Sequence, residues 1–196
     1  MVETLSIKQM RGVTLSRQQR ELVIGSLLGD GYLVKTTKGF AFRVNHSIRQ
    51  KVYVDWKYSL LKNLVNSSPK SSGKCYYFRT VSHPYFTYLH RQFYSDGKKI
   101  LPSSLVEENF TPFMLAVWIM DDGTKCGNQL RINSHCFSIE ENIQLQKFLS
   151  AKLGIKSVLN RDKGMVRIRI IEESMEDLIA QIKPYIIPSM LYKLPP

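Results

Sequence analysis

The chain has 196 residues, 43% of them hydrophobic and 22% charged, a balance that excludes a wholly disordered or collagen-like polymer and suits one compact domain or two small fused halves. Lys and Arg number 28 against 16 Asp and Glu, a net charge of +12, and an excess of this size on a folded domain points to a polyanionic partner. No apolar run approaches the ~20 residues of a membrane-spanning helix, no secretory leader is evident, and three cysteines without a C-x-x-C pair argue against a disulfide framework and a zinc finger.

In chain order, the first strong helix signal opens at Ser16, which forms a capping box with Gln19 ahead of Leu22, Val23, Ile24, Leu27 and Leu28; Gly29-Asp30-Gly31 ends it. Phe42-Arg43-Val44-Asn45 alternates as a strand with one wet face, Val52 to Leu64 carries apolar residues at helical spacing, Tyr76-Tyr77-Phe78-Arg79 alternates again, and Tyr85 to Tyr94 reads as a helix. A connector from Ser95 to Asn109 contains Lys98-Lys99-Ile100-Leu101-Pro102. Thr111-Pro112 then starts a second apolar helix through Phe113 to Met120, stopped by Asp121-Asp122-Gly123. The same order returns after it. Strand Leu130-Arg131-Ile132-Asn133 is followed by helix Ile139 to Leu153, an extra strand Ile155 to Arg161, a hairpin turn Asp162-Lys163-Gly164, strand Val166-Arg167-Ile168-Arg169 and helix Met175 to Ile182. Tyr192-Lys193-Leu194-Pro195 closes the chain much as the lysine-proline segment closes the first half.

Arg43 and Arg131 are 88 residues apart, Asp30 and Asp122 are 92, and Lys99 and Lys193 are 94. Spacings this similar read as a degenerate tandem duplication of mixed α/β type, with an N-terminal half over 1–95, a connector over 96–110 and a C-terminal half over 111–196. The histidines lack metal-ligand spacing, and structural or phosphate-facing roles are expected for them.

The two apolar helices have no polar face and should bury each other. Gly25, Ser26 and Gly29 permit close approach on one side, with Ala116 the small residue opposite. That packing brings Asp30 and Asp122 together at the negative ends of both helix dipoles. Two carboxylates ~4 Å apart repel by ~4 kcal/mol at an effective dielectric of ~20, so a hard divalent cation with oxygen ligands is expected between them. Either Asp-Gly alone is more often a helix stop; the pair points to a site.

The wet strand faces carry Arg43, Asn45, Arg79, Arg131, Asn133, Arg167 and Arg169. Arginine suits guanine O6/N7, asparagine suits adenine N6/N7, and a β-ribbon enters the major groove. A solvated basic face would look the same, but these residue types hydrogen-bond directionally. Lysines at turns and element ends, Lys35 and Lys125 among them, suit phosphate contacts.

Val23-Ile24-Gly25-Ser26-Leu27-Leu28-Gly29-Asp30-Gly31 and Leu115-Ala116-Val117-Trp118-Ile119-Met120-Asp121-Asp122-Gly123 resemble the paired signature helices of LAGLIDADG homing endonucleases, in the single-chain, two-motif branch. The segments 98–102 and 182–195 are similar to mitochondrial members of that family. The resemblance implies an α+β fold of two pseudo-symmetric αββαββα halves, joined through the signature helices, with antiparallel sheets forming a saddle over double-stranded DNA. It implies Asp30 and Asp122 as catalytic metal ligands, the carbonyls of Gly29 and Asp121 as further ligands, and Lys99 and Lys193 as catalytic basic residues. The implied cofactor is Mg²⁺, with Ca²⁺ or Mn²⁺ able to take its place. The implied activity is hydrolysis of one phosphodiester in each strand of a long asymmetric target by a monomer, promoting intron mobility. A soluble, unexported protein of a mitochondrion, chloroplast or microbial cytoplasm is expected. No motif side chain is an obvious general base, which leaves the lysines an electrostatic role. A splicing maturase binding intron RNA on the same scaffold is the alternative.

Overall fold

The computed structural model describes residues 6–162 and 165–195. Helix α1 (Ile7–Gly12) precedes α2 (Arg17–Leu28), whose Ser16–Gln19 capping box forms as the sequence requires. Strands β1 (Tyr32–Thr36) and β2 (Gly39–Ser47), helix α3 (Lys51–Leu61), strands β3 (Lys70–Ser72) and β4 (Cys75–Arg79) and helix α4 (Pro84–Phe93) follow. A small hairpin, β5 (Tyr94–Ser95) and β6 (Lys98–Lys99), leads into α5 (Ser103–Asn109). Then come α6 (Pro112–Asp122), β7 (Gly123–Cys126), β8 (Gln129–Ile132), α7 (Ile139–Leu153), β9 (Ser157–Asp162), β10 (Met165–Ile170) and α8 (Met175–Ile182).

The strands form two four-stranded antiparallel sheets of the same topology, β1-β2-β4-β3 and β7-β8-β10-β9. This corrects the reading of β9 as an extra strand, because β3 is its counterpart. β3 carries no sequence signal, being three exposed polar residues without alternation. The hairpin partners β1 and β7 are weak in sequence for a similar reason: each is short and is an edge strand paired with the strand that follows it. The connector is also more ordered than a linker. Asp96 and Gly97, both with positive φ, make the tight turn that a two-residue hairpin needs, and this hairpin sets Lys99 in place. Lys163 and Gly164 of the expected 162–164 turn lie outside the described residues.

Side-chain alternation gives each sheet two faces. Phe42, Val44 and Phe78 of the first sheet, and Leu130, Ile132, Ile168 and Ile170 of the second, are buried beneath the helices. Between the sheets α2 and α6 pack against each other, and every residue of α6 from Phe113 to Asp121 is buried. The contact is close enough to require glycine: a Cβ on Gly25 would stand 2.7 Å from the Met114 carbonyl oxygen, and one on Gly29 would stand 2.6 Å from Asp121 Cβ.

Candidate active site and nucleic-acid face

Both motif helices end in carbonyl groups that lack an intrahelical partner. A lysine supplies one at each end. Lys99, on β6, donates from Nζ to the carbonyls of Gly29 (2.9 Å) and Gly31 (3.1 Å), and Lys193 donates to the carbonyl of Asp121 (3.1 Å). The ammonium groups oppose the negative helix ends and lie within electrostatic reach of Asp30 and Asp122, whose carboxyls they pull down. Burial and the neighbouring carboxylates win nonetheless. Asp122 is pushed up to about 7 by burial first, then by Asp30 and Asp121. The Asp30 carboxyl, about half exposed, is raised by burial and Asp121. Burial also lowers Lys99.

The structure thus brings Asp30, Asp122, Lys99, Lys193 and the carbonyls of Gly29 and Asp121 into one locus. The donor chemistry suits a hard cation: carboxylate and carbonyl oxygens, together with residual carboxylate repulsion that the lysines leave uncancelled. Each carbonyl oxygen keeps a second lone pair beside its lysine.

The Asp121 side chain does something else. Its carboxylate occupies the space left by Gly29 and crosses to the first half, where Oδ1 accepts from the Tyr53 hydroxyl (2.8 Å) and Oδ1 and Oδ2 accept from Lys57 Nζ (2.7 and 3.0 Å). His46 stands between Asp121 and Asp30, 3.5 Å from an oxygen of each. Burial, followed by the Lys57 charge, lowers His46 to about 4, so the imidazole is neutral at physiological pH. Ligand atoms of Asp30, His46 and Asp121 lie within 4.8 Å of one another, but a cation on the Asp121 carboxylate would compete with a fully buried ammonium.

His46, Tyr53 and Lys57 lie outside the motifs that the sequence singles out. A signal existed. His46 continues the buried face of Phe42 and Val44, and Lys57 falls four residues after Tyr53 and four before Leu61 on the apolar side of α3. A lysine at a core position demands a buried carboxylate. Two of the other three histidines are structural: His83 caps α4 and lies 2.9 Å from the Val13 carbonyl, and His90 stacks between Phe40 and Tyr94, while His135 is exposed.

On the open faces, register sets Arg43 opposite Arg79 and Arg131 opposite Arg169. Like charges directly opposed destabilise a sheet, so both sheets carry an electrostatic cost that a polyanion would relieve. Arg43 lies over the Tyr77 ring (4.6 Å), and Arg169 donates to Gln129 (2.7 Å). Asn45 faces Tyr77 across the strands, Arg167 faces Asn160, and the backbone N–H of Asn133 donates to the Asp122 carbonyl (3.1 Å), which ties the second sheet to the helix end. Lys35 and Lys125 are exposed, but register pairs them with Phe40 and Leu130. They therefore lie on the helix-side parity of their hairpins, at the sheet rims rather than among the arginines.

Residues 20–178 match the model of the LAGLIDADG DNA endonuclease family, and the chain belongs to that family. It is 32% identical over 196 residues to the cytochrome b mRNA maturase bI2 of Debaryomyces hansenii, covering 92% of this chain and 74% of the relative; it spans only about half the length of two other curated relatives. Among solved structures, the homing endonuclease I-WcaI bound to its DNA recognition sequence superposes with a TM-score of 0.87 at 28% identity, over 96% of this chain and 91% of that one. I-DmoI in complex with DNA and Mn shares the fold at a TM-score of 0.55 and 15% identity, over 85% of this chain and 96% of that one. No helix among the described residues is long and apolar enough to cross a membrane.

Proposed function

We propose that the chain is a site-specific homing endonuclease that cuts both strands of a long, asymmetric DNA target with Mg²⁺ and so promotes intron mobility, acting as a monomer because one chain supplies both motif aspartates. The observation that carries this reading is the single locus at the ends of α2 and α6, where Asp30 and Asp122 meet under the grip of Lys99 and Lys193. We divide the chain into halves over 1–95 and 111–196 joined by 96–110, and place it in a mitochondrion or other organelle, as an intron-encoded product. I-WcaI, solved with its DNA, and I-DmoI, solved with Mn, support the choice of partner and of a divalent ion.

Asp30 and Asp122 hold the cation, with the Gly29 and Asp121 carbonyls beside them. When bound, the ion polarises the scissile phosphate and lowers the pKa of a water. Lys99 and Lys193, anchored on backbone carbonyls and thus preorganised, present positive charge where negative charge grows on the phosphate. Arg43, Asn45, Arg79, Arg131, Asn133, Arg167 and Arg169 read base edges, while Lys35 and Lys125 at the rims hold phosphates.

The test uses duplex DNA carrying the uninterrupted insertion site of the host intron. The wild type is expected to linearise it with Mg²⁺ and to leave it intact with chelator. Asp30→Asn and Asp122→Asn should bind it but lose at least about 10³ in cleavage rate, several kcal/mol of charge stabilisation. Cutting that persists in chelator rejects the mechanism.

A second reading, RNA binding as in a maturase, is favoured by a basic groove on the helix-covered side of the first sheet. Three adjoining concavities share Arg11 and Pro84 and are lined also by Lys8, Arg20, Lys38 and Arg91, with Tyr88 exposed beside them. Arg11 is held there by the carbonyls of Ser82 (3.2 Å) and Lys38 (3.1 Å). If this groove takes RNA, a transcript of the host intron should bind with target DNA already saturating the saddle. Displacement of one by the other would reject it.

A further inference from the structure

The likeness of the two halves breaks in chemistry at the floor beneath the motif aspartates. In the first half that floor is ionic. The side chains of Lys57 and Asp121 are completely buried and that of His46 almost so. At the 88-residue spacing that places Arg43-Val44-Asn45 on Arg131-Ile132-Asn133, His46 falls on Ser134 and Lys57 on Leu145. Both of those are fully buried. Ser134 donates to Asn142 Oδ1 at 2.5 Å, and Asn142 in turn donates to the carbonyls of Ser134, Phe137 and Ser138. The second floor is therefore neutral and closed on itself, and no imidazole pairs with Asp122 among the described residues.

An imidazole offers at least one N–H, and this ring is also hydrogen-bonded by the Gln50 side chain. Asp121 is already compensated by Lys57 and accepts the Tyr53 hydroxyl. Asp30 is about half exposed and has no lysine ion pair among the described residues; its nearest charged or polar side-chain partner is His46, whose Nδ1 is 3.5 Å from its Oδ2, the long edge of a contact of the kind that tightens when a charge is drawn into the site. The ring cannot turn freely, being packed against Tyr53 with centroids 5.2 Å apart.

We propose that His46 is a positioning residue for Asp30: braced by Tyr53 and by the Lys57–Asp121 pair, it holds one Asp30 oxygen in place and gives the two half-sites unequal holds on their divalent cation. The consequence is that the two DNA strands are cut with different metal requirements. The inference rests on the endonuclease reading above. Partners that orient a metal ligand typically contribute 10–100-fold in metal affinity.

The experiment compares wild type, His46→Ala and His46→Asn, the last retaining an N–H donor near the Nδ1 position. Calorimetric titration of Ca²⁺ into the protein–target DNA complex should show part of the ion binding weakened about 10–100-fold in His46→Ala, with affinity for the DNA unchanged and most of the loss restored in His46→Asn. On duplexes labelled at each end, the Mg²⁺ midpoint for cutting one strand should rise by a similar factor while the other stays put. Equal shifts on both strands, no shift on either, or a uniform loss with a lowered melting temperature in both variants would overturn the proposal and make His46 a packing residue. A wild type that cuts neither strand would sink the endonuclease reading instead, and the Ca²⁺ titration would still decide on His46.

Discussion

The first and second halves share strand order, a basic open face and a lysine on the helix-end carbonyls, yet their interiors under the site differ in kind. One is held by a buried ion pair and the other by Leu145 and an amide–hydroxyl network. The reason lies at the helix seam. Only one side chain fits where the two motifs cross, and Gly29 yields the space to Asp121. A carboxylate forced into that space must be neutralised from whichever half it enters, so a duplicated backbone ends with unduplicated chemistry. Backbone demands, such as carbonyls at a helix terminus, recur in both halves because every helix has them; a seam position is filled once.

The largest effect that would break this contrast is on stability. Lys57→Leu gives the first half the residue of the second but strands Asp121 without compensation, and urea denaturation should show a loss of about 3–5 kcal/mol. Adding Asp121→Ala should recover more than half of it, since removing both charges together is often near neutral. A small loss in the single variant would mean that Asp121 is not held as a charged group. Next, Lys99→Met and Lys193→Met should each reduce cleavage about 10²–10³-fold with DNA binding retained, the effect of deleting one preorganised cationic or donor group. Single-turnover rates would show whether the two lysines, unlike the floors beneath them, are equivalent.

The smallest effect concerns Asp122 in the metal-free protein. Its carboxyl is raised from the ordinary 3.8 to about 7, so between those values the folded chain binds the proton more tightly than the unfolded chain and stability falls as pH rises. Asp122→Asn should therefore stabilise the chelated protein by about 1–2 kcal/mol at pH 8, allowing for solvent screening, and by almost nothing at pH 4. Mg²⁺ should remove the advantage by stabilising the wild type alone. Thermal melts at the two pH values, with and without chelator, measure it. His46 runs the other way. Lowered to about 4 in the fold, it is protonated first in the unfolded chain, so its contribution is full above about pH 6.5 and is lost on acidification toward pH 4.

Local chemistry made much of this legible. The capping box at Ser16, the Thr111-Pro112 start and the Asp-Gly stops lie within a turn of the boundaries they set, and α7 and α8 run over the expected residues. The same locality exposed Asp30, Asp122, Lys99 and Lys193 through their repeated spacing. β1, β3, β5, β6 and β7 were not legible, being two to five residues long and stabilised by pairing rather than by their own pattern.

By itself, then, the amino-acid order determined which segments become helices and which long strands alternate, where the two motif helices stop, and that two acids and two lysines repeat, because each is a property of neighbouring residues or of spacing along one chain. Only the folded molecule decided that Asp121 turns away from Asp122 toward Lys57, 64 residues distant, and that His46 reaches Asp30. Burying a charge is tolerable only beside its partner, and which partner is near depends on how helices pack, not on where residues fall in the chain.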